Sequence, residues 1–216
     1  MSVAATSNAF TKGWIAAVLG GKVPQWHGDS LSVESCVAQA KQEGVAALLY
    51  ACLRAAPDAV PEALLSALAV LNAQAVAVEM LREVQTQRVL AELVNAELPF
   101  LVLKGGALAH WAFDSAYQRS RDDLDLLFAD QSSAQQCEVL LLNLGYRVVD
   151  SQTNGPNFER CLRLDSPDGL SWWIDVHWRM SNHPAFAERF SFAELFDRSL
   201  VLSGNPAIRG LGAVHA

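Results

Sequence analysis

What this chain lacks narrows its class before any motif is read. Lys and Arg together number 16 against 23 Asp and Glu, a formal net charge of -7. A surface short of positive charge disfavours nucleic acid or an anionic membrane as the main partner, because both recruit basic patches. No apolar run reaches the roughly 18 residues of a membrane-crossing helix; Gly44 to Ala56 comes nearest and carries Arg54. The first residues do not run from basic to apolar as a secretory leader does. Cysteine is scarce: Cys36, Cys52, Cys137 and Cys161 lie far apart, with no C-x-x-C pair. That spacing argues against zinc and for reduced thiols in a cytoplasmic protein. No G-x-x-x-x-G-K-[ST] occurs, Val18-Leu19-Gly20-Gly21-Lys22 having the wrong spacing, and no G-x-S-x-G occurs either. The P-loop and the serine nucleophile elbow are therefore excluded.

What is present is a chain of 216 residues, 51% hydrophobic and 18% charged, long enough for one large or two small cores. Residues up to about Asn95 read as helical and rich in alanine. Leu64, Leu68, Leu71, Ala75, Val78, Leu81 and Val84 recur at steps of three and four, which predicts one face of a long helix. Pro61 and Glu62 suit its first turn, and Val33 to Ala55 predicts one or two further helices.

The character changes at Leu98-Pro99. Phe100 to Leu103 and Leu124 to Phe128 read as buried strands, and Gly106 to Phe113 between them as a helix. Gln131 to Leu144 predicts an amphipathic helix capped by Gly145. Phe158 to Leu164 and Ser171 to Trp178 predict strands paired across the turn Asp165-Ser166-Pro167-Asp168-Gly169. Phe192 to Phe196 predicts a short helix and Leu200 to Leu202 a last strand. The fold class expected is α+β, with a helical N-terminal region over 1–96 and a mixed α/β core over 97–216.

Alternate residues of a strand share a face. Asp123 and Asp125 should therefore point together, with Leu124, Leu126 and Phe128 turned to the core, and Asp175 and His177 should share a face of their own strand. Paired like charges are costly unless a cation or basic groups neutralise them. If the two strands are neighbours, three carboxylates converge, a donor set suited to a divalent cation. Asp123 and Asp125 should then be removable with little loss of stability. Solvated strand ends are the plainer alternative. Gly105-Gly106 suits either a strand-to-helix turn that needs small residues, or a helix N-terminus set against phosphate. Lys104, Arg119 and Arg121 are the cations nearest in sequence. His177 reads better as a hydrogen-bonded structural partner than as a general base. A dehalogenase-type phosphatase built on D-x-D fits less well, because its aspartates follow an apolar strand and here the apolar run comes after them.

Three segments together resemble a bacterial family of nucleotidyltransferase-like proteins in the DNA polymerase β-type superfamily. They are Leu103-Lys104-Gly105-Gly106, then Arg119 to Leu127, then Ile174-Asp175-Val176-His177-Trp178. That family pairs an L-K-G turn with R-x-x-x-D-[IL]-D-L and a later D-x-H-W. The resemblance implies a small mixed sheet flanked by helices, with Asp123, Asp125 and Asp175 as catalytic metal ligands for Mg²⁺ or Mn²⁺. Asp175 would also help activate an acceptor hydroxyl. Lys104, Gly105, Gly106, Arg119 and Arg121 would bind the nucleotide, although Gly106 stands where the superfamily usually carries serine. The reaction implied moves a nucleoside monophosphate from an NTP to an unidentified acceptor, releasing pyrophosphate. The alternative is a non-catalytic nucleotide- or partner-binding module of the same fold, regulatory or antitoxin-like. Family members usually continue into a helical, histidine-containing segment that would begin near Gly212 to Ala216, so a shortened core is expected.

Overall fold

The computed structural model describes residues 3–22, 24–28, 31–111, 121–149, 158–181, 189–202 and 205–212. Its contacts divide the chain into two units, one running up to Met80 and the other carrying everything from Arg121 onward together with Leu81 to the first glycine-rich helix.

The first unit is helical. Helix α1 (Val3–Leu19), α2 (Val33–Gln42), α3 (Ala46–Leu53) and the start of α4 (Glu62–Asn95) supply its elements. Ser32 starts α2 by accepting the Ser35 N–H on its hydroxyl at 3.1 Å, satisfying a donor the first turn leaves over. Trp14, Ile15 and Val18 of α1 pack with Cys36 and Ala40 of α2, Leu49 and Leu53 of α3, and Leu64 and Leu68 of α4.

Helix α4 departs from the sequence expectation in one respect. Leu64 and Leu68 are buried, yet Leu81 and Val84 are 46% and 64% exposed. Repeated three-residue steps lag the helix, so Val84 lies about 200° round from Leu64, whereas Leu93 returns to within about 20°. Burial accordingly passes to Glu79, Thr86, Val89, Leu90 and Leu93. By length and composition alone α4 is also long and apolar enough to cross a membrane, with hydropathy 1.7 over its most apolar 18 residues, contrary to the expectation that no run would be. Asn72, Gln74 and Glu79 interrupt that stretch.

The second unit is built on one seven-stranded mixed sheet of order β3-β4-β5-β2-β1-β7-β6. The strands are β1 (Leu101–Val102), β2 (Asp123–Leu127), β3 (Arg147–Val149), β4 (Glu159–Asp165), β5 (Ser171–His177), β6 (Leu200–Leu202) and β7 (Asn205–Gly210). Its helices are α5 (Lys104–Trp111), α6 (Gln131–Asn143) and α7 (Phe192–Asp197). The fold is thus α+β. The β4–β5 hairpin forms as the turn signal predicted, Ser166 N–H donating to the Leu170 carbonyl at 2.8 Å. Strands β3 and β7 have no counterpart in the sequence reading. β3 has only three residues, and β7 opens on Asn-Pro and takes its place between β6, antiparallel, and β1, parallel.

Strand alternation gives the sheet two faces. Leu124, Leu126 and Phe128 join Ile174, Val176 and Leu162 in a core closed by Val89, Leu90 and Leu93 of α4 and by Ala134, Cys137 and Leu141 of α6. On the other face Leu101, Leu103 and Leu127 pack with Leu195 of α7 and with Leu211. That second apolar cluster covers only part of its face; the rest carries carboxylates beside Trp173 and Cys161.

Candidate active site

The polar part of that face is organised by the register of β2 on β5. The two strands run parallel, with Asp123 opposite Trp173, Asp125 opposite Asp175 and Leu127 opposite His177. Asp123 and Asp125 therefore share a face with Asp175 and His177, and two carboxylates sit level on adjacent strands. One oxygen each from Asp125 and Asp175 and one nitrogen from His177 lie within 4.8 Å of one another. Asp123 and Asp175, with Asp122, Cys161 and Trp173, line an open depression of ≈ 450 Å³.

Asp125 is 1% exposed and its charge is met by two donors on one oxygen. Lys104 Nζ lies 2.5 Å from Oδ1, and His177 Nε2 lies 3.0 Å from the same atom. His177 Nδ1 in turn stands 3.3 Å from Oε2 of Glu159, its partner in register across β4 and β5. The expectation of a hydrogen-bonded histidine agrees with this geometry. Glu159 escaped the sequence reading, because only the β4–β5 register brings it to His177.

The charges explain one another. Burial pushes the Asp125 carboxyl up, but hydrogen bonds from His177 and Lys104 and their charges outweigh it and hold the group below its ordinary range. For Asp123, burial, then repulsion from Asp125 and Asp175, raises the carboxyl above that range despite the charge of Lys104 and a bond from its own backbone N–H. Burial pulls Lys104 down, yet the bond to Asp125 and the charges of Asp125, Asp123 and Asp175 raise its ammonium overall. Burial, then Asp175, pushes the Cys161 thiol up to about 12, leaving it protonated. Three carboxylates thus face one ammonium. An excess of negative oxygen donors of this kind fits a hard divalent cation.

Lys104 is set by backbone rather than by side-chain reach. Leu103 N–H donates to the Asp125 carbonyl at 3.0 Å, and α5 begins at the next residue. The turn forces Lys104 to φ 43°, a left-handed conformation that costs an ordinary residue on the order of 1 kcal/mol. Gly105 and Gly106 follow and are buried. A β-carbon at Gly106 would lie 2.8 Å from Val102 Cγ1 and 3.3 Å from Leu124 Cδ1. Close packing of α5 on the sheet therefore calls for glycine at this position.

The other two cations stand apart from this picture. Arg121 is 5% exposed and its guanidinium bonds Glu83 of α4 at 2.9 Å. Arg119 lies outside the described residues.

Fold and site define a class: an α+β protein whose mixed sheet gathers three carboxylates and a lysine beside the first turn of a helix. Residues 29–214 match the family described as uncharacterised nucleotidyltransferase, and the chain belongs to that family. Membership supports nucleotidyl transfer as its general chemistry. The chain matches no curated protein and no solved structure.

Proposed function

We propose that the protein transfers a nucleoside monophosphate from an NTP to an acceptor hydroxyl, with release of pyrophosphate, in a reaction that depends on Mg²⁺ or Mn²⁺. The observation that carries the reading is the register that sets Asp125 beside Asp175, with Asp123 on the same face. Asp123, Asp125 and Asp175 would hold the cation, whose charge would offset that gathering on the reacting phosphate. The triphosphate would lie at the start of α5, where Gly105 lets the backbone approach and the leading N–H groups carry partial positive charge, while Gly106 packs the helix on the sheet. Lys104 brings an ammonium to the same corner, a point charge suited to phosphate oxygens. Asp175 borders the open depression and would accept the acceptor's proton. The acceptor oxygen then bonds the α-phosphorus as the bond to the bridging oxygen breaks, and pyrophosphate leaves with that electron pair.

The test is transfer of label from α-³²P NTPs to acceptors in a cell extract, with Mg²⁺ or EDTA, beside an Asp123→Asn control. Labelled product that needs Mg²⁺ and is lost in the control supports the reading. Nucleotide bound without product favours a binding module of the same fold. Absence of both product and binding overturns the site.

A further inference from the structure

Asp125 is gripped unequally. Lys104 reaches Oδ1 from a side chain that is 61% exposed, whereas His177 reaches the same oxygen from one that is 9% exposed. The exposed donor and the buried donor thus share one oxygen, and among the described residues no hydrogen bond reaches Oδ2. His177 does not border the depression that Asp123 and Asp175 line. Both of its ring nitrogens instead face carboxylate oxygens, Asp125 on one neighbouring strand and Glu159 on the other. Lying buried between these two carboxylates, the imidazole is restrained, and its bond to Oδ1 restrains the Asp125 carboxylate in turn.

We propose that His177, steadied by Glu159, is a positioning residue that fixes the Asp125 carboxylate so that Oδ2 is the oxygen offered to the cation. The proposal rests on the metal-dependent reading above and adds the outer contacts that reading leaves out. A ligand carboxylate free to rotate samples many orientations, and ordering it on binding weakens the affinity. Hydrogen-bonded partners outside a metal's own ligands remove that freedom, and losing one typically costs about 10–100-fold in affinity. Glu159 is the more accessible member, its side chain 28% exposed. Its removal should therefore disturb the packing less than loss of the buried histidine does.

The experiment titrates Mn²⁺ alone into the full chain, following free Mn²⁺ by electron paramagnetic resonance, with thermal unfolding in EDTA measured alongside. His177→Phe should weaken Mn²⁺ by roughly 10–100-fold. His177→Gln, which keeps an N–H donor at similar reach, should recover most of that loss. Glu159→Gln should weaken binding by several fold without changing the unfolding temperature, a combination that a purely structural role would not give. Wild-type affinity in His177→Phe overturns the proposal. So does an equal loss in His177→Gln and His177→Phe, which would make the imidazole itself a ligand. Should His177→Phe fail to fold, unchanged affinity in Glu159→Gln overturns the proposal by itself. Asp125→Asn separates the two layers: wild-type Mn²⁺ affinity there removes the metal site of the functional reading, not merely its outer support.

Discussion

Replacing Gly106 with alanine sets two effects of opposite sign against each other. Gly106 lies in the first turn of α5, where alanine is the better helix former by about 0.8–1.0 kcal/mol. The added β-carbon, however, would stand 2.8 Å from Val102 Cγ1 and 3.3 Å from Leu124 Cδ1, inside the roughly 3.5–4.0 Å at which carbons rest comfortably. Neither neighbour can retreat easily. Val102 is 2% exposed, β-branched, and held in register with Leu126 on one side and Gly210 on the other; Leu124 is 6% exposed on β2. Overpacking of this kind costs about 1–3 kcal/mol. The clash should win, for a net loss of about 0–2 kcal/mol, or a fall in unfolding temperature of up to ~8 °C in a chain of this size. Urea and thermal unfolding followed by circular dichroism would measure it. The sign should reverse in a Val102→Ala background, where the missing γ carbons leave room and Gly106→Ala should stabilise by up to ~1 kcal/mol. Gly106→Ser should behave like alanine and likewise weaken the protein. An alanine variant more stable than the parent, in the natural background, would refute the close-packing argument.

The aspartates should separate in stability. Asp123 is repelled by its neighbours, so Asp123→Asn in EDTA near neutral pH should leave unfolding unchanged or slightly delayed. Asp125→Asn weakens the anchor of Lys104 and His177 and should cost about 1.5–3 kcal/mol, measured by urea unfolding; equal behaviour of the two variants would contradict the geometry. The burial of Asp125 and its bonds to Lys104 and His177 count against the expectation that either aspartate can be removed with little loss of stability. Asp165 supplies a pH dependence: hydrogen bonds from Arg147, then Ser171, then Arg163 draw its carboxyl down to about 2. A depressed carboxyl stabilises the fold above its unfolded value of about 3.9, and that contribution fades as pH falls toward the folded value. Asp165→Asn should therefore be the less stable protein at pH 6, with the gap closing between about pH 4 and pH 2; a pH-independent gap in urea midpoints would refute this.

The sequence by itself determined what local periodicity can carry. Alternation along Asp123 to Phe128 told which residues turn to the core and which to the opposite face, because a strand's two-residue period depends on no partner. The turn at Asp165 to Gly169 likewise announced the β4–β5 hairpin, and the three motifs together pointed to the family. Periodicity failed where its error accumulates: over the long helix α4, three-residue steps carried the expected stripe off the buried face at Leu81 and Val84. What only the tertiary structure decided was register and adjacency. That Asp175 stands level with Asp125, that Glu159 reaches His177, that β7 slots beside β1, and that Gly106 is needed for contact rather than for turning all depend on pairings between residues far apart in the chain. Those pairings are selected by the burial of whole faces, a property of the assembled sheet that no short window of residues contains.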